Sequence, residues 1–167
     1  MKQLQAESNA RKIRTVAHSR VEQVHIVLPM DVNASFQLFG GQLMQWVDIV
    51  AAAVARRHSG YQVATAAVDH LEFLAPANLN DMVVIQGRMT YAGTTSMEVC
   101  VETFVEQLGN EDVRKLVNRA YLTLVALDQQ KKPAEVPVLL PETEAEKADY
   151  ANGQRKWEKR KRAKRNI

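Results

Sequence analysis

The stretch LFGGQLMQWVDIVAAAVA, residues 38–55, predicts the central element of the fold. Two adjacent glycines end a loop, and a helix is predicted from about Gly41 to Arg57, with Gly60 suited to its C-terminal cap. Asp48 is the one charged residue of this stretch, and a helix this apolar must be buried by neighbouring elements. The residues at helical spacing are Leu43, Met44, Val47, Val50, Ala51 and Val54.

Strand-like patterns precede and follow this helix along the sequence. Residues 21–28 alternate between apolar and polar side chains, and four further strand-like runs follow the helix at 61–74, 82–92, 96–107 and 113–128. Short breaks between them predict antiparallel neighbours. One buried helix needs a sheet that curls around it, and small side chains at 51–53 favour close approach. The pattern predicts an α+β fold, a highly curved five-stranded antiparallel sheet wrapped around one long helix.

Length and composition fit one domain with flanking segments. The 167 residues, 46% of them hydrophobic, are enough for a single buried core. We predict a polar N-terminal arm over 1–18, a folded body over 19–135 and a charged C-terminal helix or tail over 136–167. Thr143 and Glu146 resemble a capping box at the start of that last helix.

Charge is distributed unevenly along the chain. The net charge is +3, but residues 155–165 hold eight Lys or Arg against one acid, which leaves the remainder at −4. A basic folded face is therefore not indicated, and we expect no nucleic-acid partner.

No apolar run is long enough to span a membrane, and residues 1–20 lack the apolar middle of a signal peptide, which favours the cytoplasm. Cys100, the single cysteine, is predicted to be a buried small hydrophobe.

The glycine pair and Asp48 form the most informative chemical pattern. The first amides of a helix have no internal partner, and Gly40 and Gly41 leave them open to an oxygen atom that gains negative charge. Asp48 lies about two turns later on the same helix face, where it could act as general base or nucleophile. This pairing suggests acyl-group hydrolysis. A non-catalytic alternative explains the same residues: the glycines form a turn before the helix, and Asp48 is a hydrogen-bonded structural group.

Other catalytic patterns are absent from the sequence. The four histidines have no metal-ligand spacing, no serine lies in a Gly-x-Ser-x-Gly elbow, and no Gly-rich phosphate loop occurs. The turn in YAGTTSM, residues 91–97, offers backbone and hydroxyl donors that could meet a phosphate, and it fits a simple hairpin turn equally well.

Several segments together resemble one family. LPMDVNASFQLFGGQLMQWVDIVAAAVARRHSG (28–60), VATAAVDHLEFLAP (63–76), GTTSMEVCVET (93–103) and AYLTLVALDQQKKPAEVP (120–137) are similar to the hotdog-fold acyl-CoA thioesterases, of the bacterial cytosolic acyl-CoA hydrolase type. The tail resembles that of Firmicute members. The resemblance covers roughly residues 16 to 165.

The resemblance implies a set of site residues. Asp48 takes the position of the central catalytic acid, with Asn33 and Thr65 as the other catalytic residues. The glycine pair would hold the thioester carbonyl. The implied substrate-binding and CoA-binding residues are Gln37, Gly40, Gly41, Arg57, Gly93, Thr94, Thr95 and Ser96.

The resemblance also implies partners. Active sites in these enzymes lie across a dimer interface, so we expect a homo-oligomer, a dimer or a trimer of dimers. No metal or redox cofactor is expected, and CoA is part of the substrate. The main alternative is a non-catalytic hotdog protein that binds or senses acyl-CoA, against which the retained Asp48 argues. A hotdog dehydratase would need a histidine near the helix start, and residues 29–57 contain none.

Two features leave questions open. The family usually reads Asn-x-x-Gly-Thr-x-Phe-Gly-Gly, whereas Phe36 and Gln37 replace Gly and Thr here. Because Phe adopts positive φ poorly, the loop path before the glycines is expected to differ, and Gln37 could orient a water or reshape the acyl pocket. The basic tail could bind RNA, an anionic membrane or a CoA phosphate, or could simply be a solvated helix end, and Trp157 could pack it back onto the body.

Overall fold

The computed structural model describes residues 11–165, with side chains to residue 163. A short 3-10 turn, Pro29–Asp31, precedes the glycine loop. The helices and strands, in chain order, are β1 (Ile13–Thr15), α1 (Val16–Ser19), β2 (Val21–Ile26), α2 (Gly40–Ser59), β3 (Gln62–Phe73), β4 (Met82–Ala92), β5 (Ser96–Gln107), β6 (Asn110–Leu127), β7 (Val138–Leu140) and α3 (Glu144–Arg165).

Five strands form one antiparallel sheet around α2, as the sequence predicts. The strand order is β2-β4-β5-β6-β3, so the strands that flank α2 in sequence become the two edges of the sheet. Helix α2 contacts all five strands, which requires a sheet that curves around it. The hotdog architecture is confirmed, and β3 is left with β6 as its one strand neighbour within residues 11–165.

A glycine on β4 allows a close approach between the sheet and α2. A Cβ at Gly87 would lie 2.7 Å from Val50 Cγ1 and 2.8 Å from Val54 Cγ2. The alanines at 51–53 were predicted to favour this close approach. In the structure Ala51 is buried, but the missing side chain that makes room is on β4.

The predicted ends of α2 agree with the structure within two residues. The helix begins at Gly40 and ends at Ser59. Gly60 adopts φ 77° and its N–H donates to the Arg56 carbonyl over 2.8 Å, so the predicted glycine cap is confirmed. A non-glycine residue would be strained at that φ.

Part of the predicted N-terminal arm is folded. Residues 1–10 lie outside the described part of the chain. Strand β1 pairs in parallel with β7, with Ile13 opposite Val138, and Val16 lies in the hydrophobic core. The arm predicted over 1–18 therefore contributes a strand and part of a helix to the fold. A three-residue strand is too short to produce a periodic pattern, which is why the sequence gives no sign of it.

Helix α3 lies against the face of the sheet opposite α2. Its start has the predicted capping box: the Glu146 N–H donates to Thr143 Oγ1 and the Thr143 N–H to Glu146 Oε2, both over 3.2 Å. Burial alone would raise the pKa of the Glu146 carboxyl, but backbone N–H donors and Arg20, 2.8 Å away, lower it below its usual value. The helix start is thus tied to the body of the protein.

Ion pairs hold the charged helix on the sheet. Arg88 of β4 lies 3.0 Å from Asp149, and Lys156 Nζ lies 3.3 Å from Glu98 Oε2, whose side chain is only 1% exposed. Gly153 allows α3 to pack this closely on β4, because a Cβ at Gly153 would lie 2.5 Å from Tyr91 Cβ. The interpretation of the tail as a solvated helix end is therefore wrong for its inner face.

No helix between residues 11 and 165 is long and apolar enough to cross a membrane.

Cys100 is fully buried, as predicted, and burial raises the pKa of its thiol to about 11. It is therefore a core residue and a poor nucleophile at neutral pH.

Candidate active site

Asp48 and Thr65 form the site's direct side-chain contact. Thr65, on the edge strand β3, donates its hydroxyl hydrogen to Asp48 Oδ1 over 2.6 Å. Both side chains are exposed in the single chain. The hydrogen bond orients the carboxylate and leaves Oδ2 without a hydrogen-bond partner among the described residues. The structure thus brings together two of the three residues that the resemblance implies are catalytic.

The start of α2 presents unpaired amides, as the glycine pair predicts. Phe39, the residue before the helix, has no side-chain hydrogen bond that would cap it. The first intrahelical bond runs from the Leu43 N–H to the Phe39 carbonyl over 3.0 Å. The N–H groups of Gly40 and Gly41 therefore remain available to an oxygen acceptor.

These amides and Asp48 are too far apart to act on one carbonyl within a single chain. Seven residues of helix separate Gly41 from Asp48, which is about 10 Å along the axis. An oxyanion donor and a general base must each lie about 3 Å from the reacting group. Within one chain, therefore, the Gly40 and Gly41 amides and the Asp48 carboxylate do not face the same reacting carbonyl.

Asn33 organises the loop before the glycines. Its Oδ1 accepts hydrogen bonds from the N–H groups of Ser35 and Gln37, over 2.9 and 3.3 Å, and its backbone N–H donates to the Gln37 carbonyl over 2.8 Å. Within the described residues Asn33 makes no contact with Asp48. Its side-chain amide group points to solvent with no hydrogen-bond partner there.

Phe36 adopts the conformation that glycine takes more easily. Its φ is 57°, and its side chain is 68% exposed. The backbone is held there by the Phe36 N–H, which donates to the Asn33 carbonyl, and by the Leu79 N–H, which donates to the Phe36 carbonyl, both over 3.0 Å. The loop tolerates the strain of a bulky residue in the left-handed region instead of avoiding it.

An apolar cleft lies beside the start of α2. It has a volume of about 470 Å³ and is lined by Gln37 and Gly40 together with mainly apolar residues, among them Leu43, Phe73 and Val117. The cleft is therefore a candidate for the acyl chain, with Gln37 as one of its few polar groups. Gly40 and Gln37 are thus brought together, whereas Asp48 and Thr65 lie outside this lining.

The GTTS turn joins β4 to β5 and is held from two sides. Arg11 donates to the Gly93 carbonyl over 2.6 Å, and a Cβ at Gly93 would lie 2.6 Å from Trp157 Nε1. Gly93 is buried, and the Gly93 N–H donates to the Ser96 carbonyl over 2.8 Å. Thr94 is exposed at the tip, so the turn can offer donors to a ligand only from there and from the half-buried residues after it, Thr95 and Ser96.

Arg57 is not brought to the site. It lies nine residues after Asp48 on α2, about half a turn around the helix, and therefore faces the other way. Its guanidinium donates to the Arg20 carbonyl over 2.7 Å. This contact ties the end of α2 to the segment before β2 and does not point to a phosphate.

The sequence interpretation missed the parts of α3 and of the N-terminal segment that surround the turn. Arg11 of the N-terminal segment and Trp157 of α3 were not assigned to it. A glycine in the middle of a charged helix, Gly153, was the available signal, because it marks a place where another chain segment comes close.

Comparison with known proteins assigns the family. The Thioesterase superfamily profile matches residues 37–110. YkhA of Bacillus subtilis (strain 168), described as an uncharacterized acyl-CoA thioester hydrolase, is 40% identical over 133 residues, which cover 80% of this chain and 77% of that protein. The chain belongs to the acyl-CoA thioester hydrolases of the thioesterase superfamily. The resemblance inferred from residues 28–60 and the later segments is confirmed.

Solved structures agree with this assignment. Acyl-CoA hydrolase from Staphylococcus aureus, in complex with butyryl-CoA, CoA and CoA disulfide, superposes with a TM-score of 0.85 at 36% identity, over 92% of this chain and 93% of that one. A hexameric acyl-CoA thioesterase, solved without ligand, also gives a TM-score of 0.85 at 36% identity, over 91% and 97% of the two chains.

Proposed function

We propose that the chain hydrolyses acyl-CoA thioesters to free CoA and a carboxylic acid, with Asp48 as general base or nucleophile. The Thr65–Asp48 hydrogen bond carries the proposal, since it fixes one carboxylate oxygen and leaves the other free. As general base, Asp48 takes a proton from the water that adds to the thioester carbonyl. The C–S bond then breaks, and the proton returns to the departing CoA thiolate.

The spacing of the three proposed catalytic residues supports these roles. Solved alanine variants of the Staphylococcus aureus acyl-CoA hydrolase replace an asparagine, an aspartate and a threonine. Their separations of 15 and 17 positions equal those between Asn33, Asp48 and Thr65 in this chain. The same three residue types at the same intervals support the assignment of Asn33, Asp48 and Thr65 to one site in this chain.

A second copy of the chain would complete the site. The free edge of β3 can pair with another strand, and Met44, Ile49 and Val68 around Asp48 are 43%, 47% and 47% exposed. Covering that apolar surface would also remove water from the carboxylate. We therefore propose a homodimer with shared sites, in which the Gly40 and Gly41 amides of one chain stabilise the oxyanion near Asp48 of the other. A trimer of such dimers is the proposed larger assembly.

Hydrolysis in this scheme uses only the carboxylate, the threonine and backbone amides. We propose that it needs no metal ion, so a chelator should leave the rate unchanged. The cytoplasmic location remains a prediction from the sequence.

The function is tested by thiol release. Purified protein is assayed against CoA esters from acetyl to long-chain, with Asp48→Asn as the test variant and Asp112→Asn, an exposed acid at the start of β6, as the matched control. We expect hydrolysis of at least one ester, reduced by about 10²–10⁴-fold in Asp48→Asn because a positioned general base contributes that much. Binding of acyl-CoA with no thiol release across the panel would favour a sensor instead.

A further inference from the structure

A basic cleft lies between α3 and the face of the sheet that α2 does not cover. Its volume is about 620 Å³. Four cations from α3 line it, at positions 155, 156, 159 and 160, which recur at helical spacing and so share one face. Asp69 is the one carboxylate in the lining, so the walls carry a formal excess of three positive charges. A lining of this sign favours an anionic ligand.

Two of the cations are neutralised and two are not. Lys156 lies 3.3 Å from Glu98, and Arg160 Nη1 lies 2.8 Å from Asp69 Oδ2. Among the described side chains, Arg155 and Lys159 have no carboxylate within 4 Å. The guanidinium of Arg155 donates to the neutral amide oxygen of Asn152. The paired cations fix α3 to the sheet, and the two remaining charges are free to bind a ligand.

Two rings form the floor of the cleft. His70 and Tyr121 are direct partners across β3 and β6, and both line the cavity. Lys156 Nζ covers the Tyr121 ring at 3.8 Å from its centroid, whereas the His70 side chain is about half exposed. The His70 ring therefore offers a flat surface on which an aromatic base can stack, beside cations suited to phosphate oxygens.

We propose that this cleft binds the diphosphate of an adenine nucleotide, with Arg155 and Lys159 on the phosphates and His70 against the base. The site goes beyond the proposed hydrolysis, because the sheet separates it from Asp48, which belongs to the α2 side. Two sources share this chemistry: the 3′-phospho-ADP end of an acyl-CoA, and a free nucleotide such as ADP.

Direct binding tests the site without depending on hydrolysis. The full chain is titrated calorimetrically with ADP and with 3′-phospho-ADP. The test variant is Arg155→Ala/Lys159→Ala. The control is Lys147→Ala/Arg162→Ala, which removes two cations from the same helix outside the cleft. We expect affinity for at least one ligand to fall about tenfold or more in the test variant, since charge-assisted hydrogen bonds to phosphate are lost, and to be unchanged in the control.

Kinetics then identify the source of the nucleotide. If the CoA end occupies the cleft, the test variant raises the KM for acyl-CoA but not for the matching acyl-pantetheine, which lacks the nucleotide. If a free nucleotide occupies it, both KM values stay unchanged. Binding of neither ligand, or equal loss of affinity in test and control variants, overturns the proposal. Failure of hydrolysis alone would leave the binding result standing.

Discussion

Thr65 donates a hydrogen bond to Asp48 across 2.6 Å, from the edge strand of the sheet to the middle of the helix that the sheet surrounds. This relationship explains how a carboxylate can occupy the middle of a mainly apolar helix. Asp48 lies on the one face of α2 that the chain's own sheet leaves open, and Thr65 satisfies one of its oxygens there. The face that holds the charge is also the face that the proposed dimer would cover.

The Thr65 hydroxyl should matter for turnover more than for substrate binding. Thr65→Val removes the donor at nearly constant size, so the carboxylate loses its orientation, and kcat should fall about 10-fold or more. Thr65→Ser retains a hydroxyl and should keep most of kcat. Steady-state kinetics on one acyl-CoA check this. A rise in KM with unchanged kcat in Thr65→Val would make the residue a binding residue only.

Two variants of Asn33 should distinguish a role in loop structure from a role in catalysis. Its Oδ1 accepts two backbone N–H groups, and Asp can accept the same bonds. Asn33→Asp should therefore keep the loop, whereas Asn33→Ala should cost about 1 kcal/mol of stability through the lost bonds. Urea unfolding measures this cost. If the free amide group acts on the substrate, both variants lose kcat. Full activity in Asn33→Asp would restrict Asn33 to a structural role.

The sequence predicts the central helix and the strands of the main sheet. The short strand β1 is visible only in the structure. Helix α2 and the five long strands carry strong periodic patterns, so their identity and order were predictable. Strand β1 was not predictable, because it depends on a contact between segments far apart in the chain, Ile13 with Val138. The docking of α3 was one of several alternatives for the tail, and the contact of Trp157 with Tyr91 confirms it.

The site residues also include some that local sequence predicts and some that it does not. Gly40, Gly41 and Asp48 are informative in sequence because their residue types conflict with an ordinary buried helix. The link between Asp48 and Thr65 rested on a family resemblance, since no local pattern joins two residues on different elements. Arg57 was assigned from the same resemblance, and the structure places it on the side of α2 opposite Asp48.

Lys156 and Glu98 should be energetically coupled. Lys156→Met leaves the Glu98 carboxylate buried without its ion-pair partner, which should cost about 2 kcal/mol, less than a fully buried pair because Lys156 is 37% exposed. Adding Glu98→Gln should recover part of this loss. Urea unfolding of the two single variants and the double variant gives the coupling energy. Lys159→Met, which removes a cation without a carboxylate partner, is the control, and an equal loss there would contradict the assignment.

The stability of the protein should fall as the pH drops below the usual pKa of histidine. Burial is the main cause that lowers the pKa of His58, and the neighbouring Arg14 adds to it, although the Pro137 carbonyl opposes the shift. Burial also lowers the pKa of His25. Below about pH 6.5 the unfolded chain therefore binds protons that the folded chain does not. Buried His58 lowers the free energy of unfolding by up to about 1.4 kcal/mol per pH unit until its folded pKa is reached, and the more exposed His25 contributes less.

Unfolding free energies measured between about pH 7 and 5 test this prediction. His58→Gln should flatten the decline, since an amide does not titrate and can still donate to the Pro137 carbonyl. A decline that is the same in His58→Gln as in the unmodified protein would contradict the assignment.

Complementation between subunits tests the shared site most directly. Chains carrying Asp48→Asn and chains carrying Asn33→Ala are each expected to have low activity alone. In a mixed dimer, one of the two sites takes Asp48 from one chain and Asn33 from the other and is intact, so a one-to-one co-assembled sample should recover about a quarter of the unmodified activity. Thiol release by the co-assembled sample is the measurement. Recovery to about that level supports a site built from two chains, and activity no higher than the average of the two single variants would contradict it.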